Sequence, residues 1–80
     1  MLNKLTQDSR AVGAKQARRT LNDGRANRLF VASDADPRIT DPLRQLAAEK
    51  NVPVEEVPTM KELGSACGIA VGSAVAVLLN

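Results

Sequence analysis

The apolar residues of this 80-residue chain switch between helical and extended spacing, and each switch marks an element. Leu2 to Ser9 predicts a short helix. Ala11 and Val12 lead into Gly13 as a short extended piece. Ala14 to Asp23 predicts a helix: at about 100° per residue, Ala14, Ala17 and Leu21 share one face, and Lys15, Arg18, Arg19 and Asn22 share the other. It stops at Asn22-Asp23-Gly24, where glycine suits the left-handed position after a helix. Arg28 to Ser33 (RLFVAS) reads as a strand, an apolar run bounded by polar turns. In Asp34-Ala35-Asp36-Pro37, Asp suits the N-cap and Pro the first helical position. A second such signal, Thr40-Asp41-Pro42, is expected to start the main part of the next helix. Leu43, Leu46 and Ala47 give that helix its apolar stripe, and Asn51 ends it. Val52 to Val57 predicts a strand, with Pro53 near its start, where a missing donor is tolerated. Thr59 and Glu62 fit a capping box, opening a helix that runs to about Cys67 and stops at Gly68. Ala74 to Leu79 (AVAVLL) predicts a final buried strand. Helices thus alternate with strands, the signature of an α/β layered domain with a small sheet covered by helices. No repeat, linker or low-complexity tract interrupts it, so residues 1–80 read as one domain.

The tail admits a competing reading. Leu63 to Asn80 carries no charge, and Gly64, Gly68 and Gly72 stand four apart, the spacing of a packing face in a membrane helix. The stretch falls short of the roughly 20 residues a span needs. It is diluted with Gly, Ala and Ser and begins inside a well-capped helix. The expectation is therefore a helix end, a glycine-flanked loop and a strand, with no membrane partner. At the other end, MLNKLTQDSR has no apolar segment of the kind a secretory signal needs.

Composition narrows the chemistry. Cys67 is the single cysteine, so no internal disulfide forms, which points to a reducing, cytoplasmic setting. There is no His, Trp or Tyr, and one Phe, Phe30. The commonest general base and metal ligand is therefore missing, and a usual zinc site is excluded. A base-stacking platform built on aromatic rings is excluded too. The acids make a poor catalytic set. Asp34 and Asp36 read as caps beside Pro37, and the adjacent Glu55 and Glu56 point to opposite sides of a strand. Cys67 has no His to activate it. No enzyme activity, metal or cofactor is expected.

Charge is unevenly spread. Residues 1–28 hold seven basic and two acidic residues, net +5, and residues 29–80 hold four basic and seven acidic, net −3. A basic first third suits an anionic partner, though a solvated face would look the same. The placement of the cations says more. Lys15, Arg18 and Arg19 crowd the start of a helix, where unpaired N–H groups and the positive end of the helix dipole disfavour them. As a nucleic-acid site the segment makes sense. Gly13 allows close approach, and Lys15 can donate to guanine O6 and N7. Gln16 can donate and accept on a base edge, and Arg19 can reach a phosphate or a second base. The loop Gly68-Ile69-Ala70-Val71-Gly72 is a second candidate. Its apolar tip can be a finger held by glycines, or Ile69 and Val71 can simply point into the core, and the sequence by itself favours the second.

The segments GAKQARRTLNDGRANRLFVASDADP and VPTMKELGSACGIAVG, followed by an apolar strand, resemble the kink-turn-binding ribosomal protein family of large-subunit protein L-seven-Ae. The resemblance spans essentially the whole chain and is closest to the short bacterial members, whose helix-start motif reads Gly-x-Lys-Gln. It implies a three-layer α-β-α sandwich with a small mixed four-stranded sheet. It implies binding to kink-turns, sharply bent RNA internal loops built on tandem sheared G·A pairs. By match, Lys15 and Gln16, after Gly13, would meet the guanine edges of those pairs. Arg19 would meet RNA backbone or base edges, and Arg18 would add backbone affinity. Ile69, Ala70 and Val71 would pack near the flipped-out loop nucleotide, and Asp36 matches an acidic position near it. Archaeal and eukaryotic members carry Asn-Glu where this chain has Lys15-Gln16. The implied protein is a cytoplasmic, monomeric, non-enzymatic partner of ribosomal RNA or another structured RNA. The alternative on the same fold is a protein–protein interaction module, with the Gly68–Gly72 loop and the acidic remainder as its interface.

Overall fold

The computed structural model describes residues 10–68 and 71–79. The elements follow in the order β1 (Arg10–Val12), α1 (Ala14–Asn22), β2 (Ala26–Ala32), α2 (Pro37–Glu49), β3 (Val54–Val57), α3 (Met60–Ala66) and β4 (Val75–Leu79). The helix expected over Leu2–Ser9 lies outside the described residues. The strands form one mixed sheet in the order β1-β4-β2-β3. β4 runs antiparallel to both β1 and β2, with Ala11 opposite Val77 and Phe30 opposite Ala76. β2 and β3 are parallel, with Phe30 beside Glu55.

Alternation along the central strands builds two cores. Leu29 and Val31 of β2, with Val75 and Val77 of β4, pack against Ala17 and Leu21 of α1 and Leu43 and Ala47 of α2. On the other face Phe30, Ala32 and Ala76, with Val57 of β3, pack against Leu63 and Cys67. Because β2 and β4 are buried on both faces, they read as continuous apolar runs and not as alternating ones. Two helices cover one face and one the other, so the fold is the three-layer α-β-α sandwich. The uncharged tail divides as expected into the end of α3, a loop and β4.

Several boundaries differ from the periodicity, each for a local reason. β2 begins at Ala26, before Arg28, because β4 continues far enough to offer Leu79 as its partner; a register shift between Ala26 and Arg28 accommodates the join. Its end is Ala32, where the chain turns and the Ala35 N–H donates back to the Ala32 carbonyl (3.2 Å). α2 starts at Pro37 and runs through Pro42. The Asp36 carboxylate already accepts the Arg38 N–H (2.9 Å), so the first cap suffices. The bond that Pro42 forgoes would reach the Arg38 carbonyl, in the exposed first turn, where water can take its place. β3 begins at Val54 because Val52 closes α2. Asn51 is left-handed (φ 58°), Asn51 N–H donates to Ala48 (3.2 Å) and Val52 N–H to Ala47 (2.8 Å), a Schellman motif. Asp34 caps α3 and not α2: its Oδ1 accepts the Met60 N–H at 2.8 Å. Thr59 supplies the expected cap of the same helix, accepting the Glu62 N–H at 3.0 Å.

Candidate nucleic-acid interface

β1, β2 and β3 point the same way and each leads into a helix. The starts of α1, α2 and α3 therefore gather at one end of the sheet, where β4 begins. Crevices beyond the carboxyl ends of such strands are where open α/β sheets bind ligands. Hydrogen bonds stitch this end together. The Val75 carbonyl accepts both the Gly13 N–H (3.1 Å) and the buried Ser73 hydroxyl (2.7 Å). Ala32 N–H donates to Ala74 (2.9 Å), and Ser73 N–H donates to Met60 (3.0 Å). The helix-start motif, the Asp34–Asp36 turn and the loop before β4 are thus one connected surface.

α1 opens without a side-chain cap and without an acid in its first turn. Its N-cap, Gly13, stands at φ 98°, ψ 157°, a backbone conformation that side chains disfavour. Ala17, Thr20 and Leu21 are buried, which fixes the rotation of the helix. The Thr20 hydroxyl is spent on the Gln16 and Ala17 carbonyls (3.1 and 3.0 Å). Lys15, Gln16, Arg18 and Arg19 are consequently all exposed. Lys15, Gln16 and Arg19 line a surface depression of about 270 Å³. Arg25, Arg28, Arg38 and Arg44 each face a carboxylate. Lys15, Arg18 and Arg19 have no acid within ion-pair distance among the described residues. No acid of the described fold offsets their placement at the positive end of a helix dipole, and their donors face solvent.

The loop before β4 is held by glycines. A Cβ on Gly64 would lie 2.1 Å from the Val71 carbonyl oxygen, and one on Gly72 would lie 3.1 Å from Met60 Cβ. Gly68 turns the chain at φ 77°. Val71 is 72% exposed, so the reading that points it into the core does not hold. Ile69 and Ala70 lie outside the described residues.

Asp36 occupies the N-cap of α2. Besides the Arg38 N–H, its carboxylate accepts from the Arg38 guanidinium (Nη2 to Oδ2 2.8 Å, Nε to Oδ2 3.1 Å). The Arg38 side-chain and then backbone hydrogen bonds hold its pKa below the ordinary carboxylate value. Arg38 and Met60 belong to this surface and the buried Gly64 lies beneath it; sequence reasoning gave none of the three a part in binding. For Arg38 the available signal was the Asp-Pro-Arg order, which puts a long cation two residues after a capping acid. Gly64 had only its place inside an otherwise helix-forming segment.

Residues 2–80 match the ribosomal protein L7Ae/L30e/S12e/Gadd45 family. The chain is 48% identical over 69 residues to an RNA-binding protein of Geobacillus sp. (strain WCH70), covering 86% of this chain and 84% of that protein. It is 46% identical over 69 residues to RNA-binding protein YbxF of Geobacillus stearothermophilus, with the same coverage. Among solved structures, the Giardia lamblia 15.5kD RNA binding protein superposes with a TM-score of 0.91 at 30% identity, over 99% of this chain and 70% of that one. The resemblance carried by the GAKQARR and LGSACGIAVG segments therefore holds, and the chain belongs to the ribosomal protein L7Ae/L30e/S12e/Gadd45 family.

Proposed function

We propose that this protein binds RNA at kink-turns, and that the end of the sheet where the three helices start is its RNA-binding face. The observation that carries the reading is the start of α1. A capless, glycine-led helix end presents Lys15, Gln16, Arg18 and Arg19 with no carboxylate partner among the described residues, and it shares the Val75 carbonyl with the loop that carries Val71. The names of the Geobacillus and Giardia relatives support RNA as the partner.

Lys15 donates to guanine O6 and N7, while Gln16 donates and accepts on a neighbouring edge of the sheared G·A pairs. Arg18 and Arg19 take backbone phosphates. Val71, with Ile69 and Ala70, offers apolar contact to the extruded loop nucleotide, and Asp36 stands at its flank. The protein does no covalent chemistry. It binds the bent RNA better than the extended one and so shifts the RNA toward the bend. The cellular target would be ribosomal RNA or another structured RNA of the cytoplasm, bound by a monomer.

A titration tests this. A kink-turn RNA is compared with a variant whose G·A pairs are replaced by Watson–Crick pairs, at two salt concentrations, for wild type and Gln16→Ala. Selective binding of the kink-turn is expected, with Gln16→Ala costing about 1–3 kcal/mol. Equal, salt-sensitive binding to both RNAs would mean that the cations make only nonspecific phosphate contacts.

A further inference from the structure

Among the described residues the Arg38 side chain ties no two elements together. Arg28 and Arg44 are side chains about a third exposed (33% and 35%) that tie β2 and α2 to acids of β3. Arg38 is 90% exposed and folds back only two residues, onto Asp36. An ion pair so open and so local joins no two elements and adds little to stability. Its geometry nevertheless fixes the guanidinium. Asp36 engages Nε and Nη2, leaving both N–H groups of Nη1 and one of Nη2 for another acceptor. The fork stands in the first turn of α2. α1 and α2 lie side by side on one face of the sheet, and both begin at the same end.

We infer that Arg38 is a contact to the RNA backbone, carrying the footprint from the start of α1 across to the start of α2, with Asp36 as the residue that positions its guanidinium fork. The inference rests on the RNA-binding reading above. The group recognised is a phosphodiester oxygen, which a guanidinium held in place meets with paired N–H donors. Arg38 also covers a charge that would otherwise oppose the ligand. Without it, the Asp36 carboxylate would face a polyanion bare. Asp36 is then a neighbour of the RNA through Arg38, and need not touch a base itself.

The test uses the full chain with the kink-turn RNA and its Watson–Crick variant, titrated between about 50 and 200 mM salt, the range over which phosphate contacts declare themselves. Arg38→Ala is compared with Lys50→Ala and Arg38→Lys. Lys50 is exposed, carries the same charge and caps the far end of the same helix, about 18 Å away by helical rise. Arg38→Ala should raise Kd about fivefold and lower the slope of log Kd against log salt by about one. Lys50→Ala should leave the slope unchanged. Arg38→Lys, which keeps the charge and loses the fork, should fall between wild type and Arg38→Ala. Thermal melting should show Arg38→Ala folded, because the capping bond to Asp36 comes from the backbone N–H. Equal slopes for Arg38→Ala and Lys50→Ala would overturn the contact. Arg38→Lys matching wild type would overturn the positioning role of Asp36. If wild type binds both RNAs alike, the kink-turn reading falls, and the slope comparison still decides whether Arg38 meets phosphate.

Discussion

Gly13 stands at φ 98°, ψ 157°, with nothing within 4 Å of where a Cβ would sit. Space does not demand glycine there; backbone conformation does. Gly13→Ala should therefore cost about 1–3 kcal/mol, the usual price of forcing a side chain into that region. Urea unfolding with an unchanged m-value would check it, since the loss is in the native state and not in compactness. A neutral outcome would mean that the chain enters α1 another way. The exposure of Lys15, Arg18, Arg19 and Asn22 was legible beforehand, because helical period and the apolar set Ala14, Ala17 and Leu21 fix which side faces out. The pairing of Arg38 with Asp36 was not. Period places an Arg on a face, whereas the fold-back onto a capping acid depends on side-chain torsions that periodicity does not constrain.

At the scale of elements, the binding face depends on how closely α3 and the loop before β4 approach. Gly64 sits inside α3, where alanine would ordinarily improve the helix by about 1 kcal/mol. Here the added methyl would meet the Val71 carbonyl oxygen at 2.1 Å, backbone that cannot swing aside as a side-chain tip can. Gly64→Ala should reverse the usual sign. It should destabilise the protein and loosen the bond from Ser73 N–H to the Met60 carbonyl. Hydrogen exchange reads this directly: the Ser73 amide should lose protection well ahead of the amides of β2. Unchanged protection with higher helix stability would mean that the loop has room the structure does not show. The order and type of the described elements were legible from the chain, because each carries a cap, a glycine stop or an apolar run of the right length. What escaped were features that join distant segments. Asp34 looks like a cap for the helix that follows it, yet it serves α3, 26 positions along. Val52 and Pro53 look like strand, yet the Schellman closure of α2 claims the first. Pro42 looks like a helix start, yet Asp36 had already nucleated the turn. Local propensity ranks such options, and tertiary partners choose among them.

Across the whole molecule the pH dependence of stability is assigned to two paired carboxylates and one buried thiol. There is no His, so no side chain of ordinary pKa titrates between about pH 5 and 8, and stability should be flat there. The acid limb comes from carboxylates held low. Glu56 is lowered chiefly by its hydrogen bond to Arg44, and Asp36 by Arg38. A lowered folded pKa gives stability that is present above the ordinary carboxylate value and is lost as pH falls through about 4 and below. Both pairs are open to solvent in part, so this limb should be shallow and should shrink further in salt. The alkaline limb has a different origin. Cys67 is buried in the core beneath α3, and that burial pushes its thiol above the ordinary value against a weaker opposing pull from Arg10. The unfolded chain can ionise the thiol where the folded one cannot. Stability is therefore complete below the ordinary thiol pKa of about 8.5 and is lost as pH rises past it. Urea melts at half-unit steps from pH 3 to 10 should trace this dome. Cys67→Ala should lower the whole curve by opening a cavity, yet flatten its fall between about pH 8 and 10 while leaving the acid limb in place. A fall that survives Cys67→Ala unchanged would show that some group other than the core thiol governs the alkaline side.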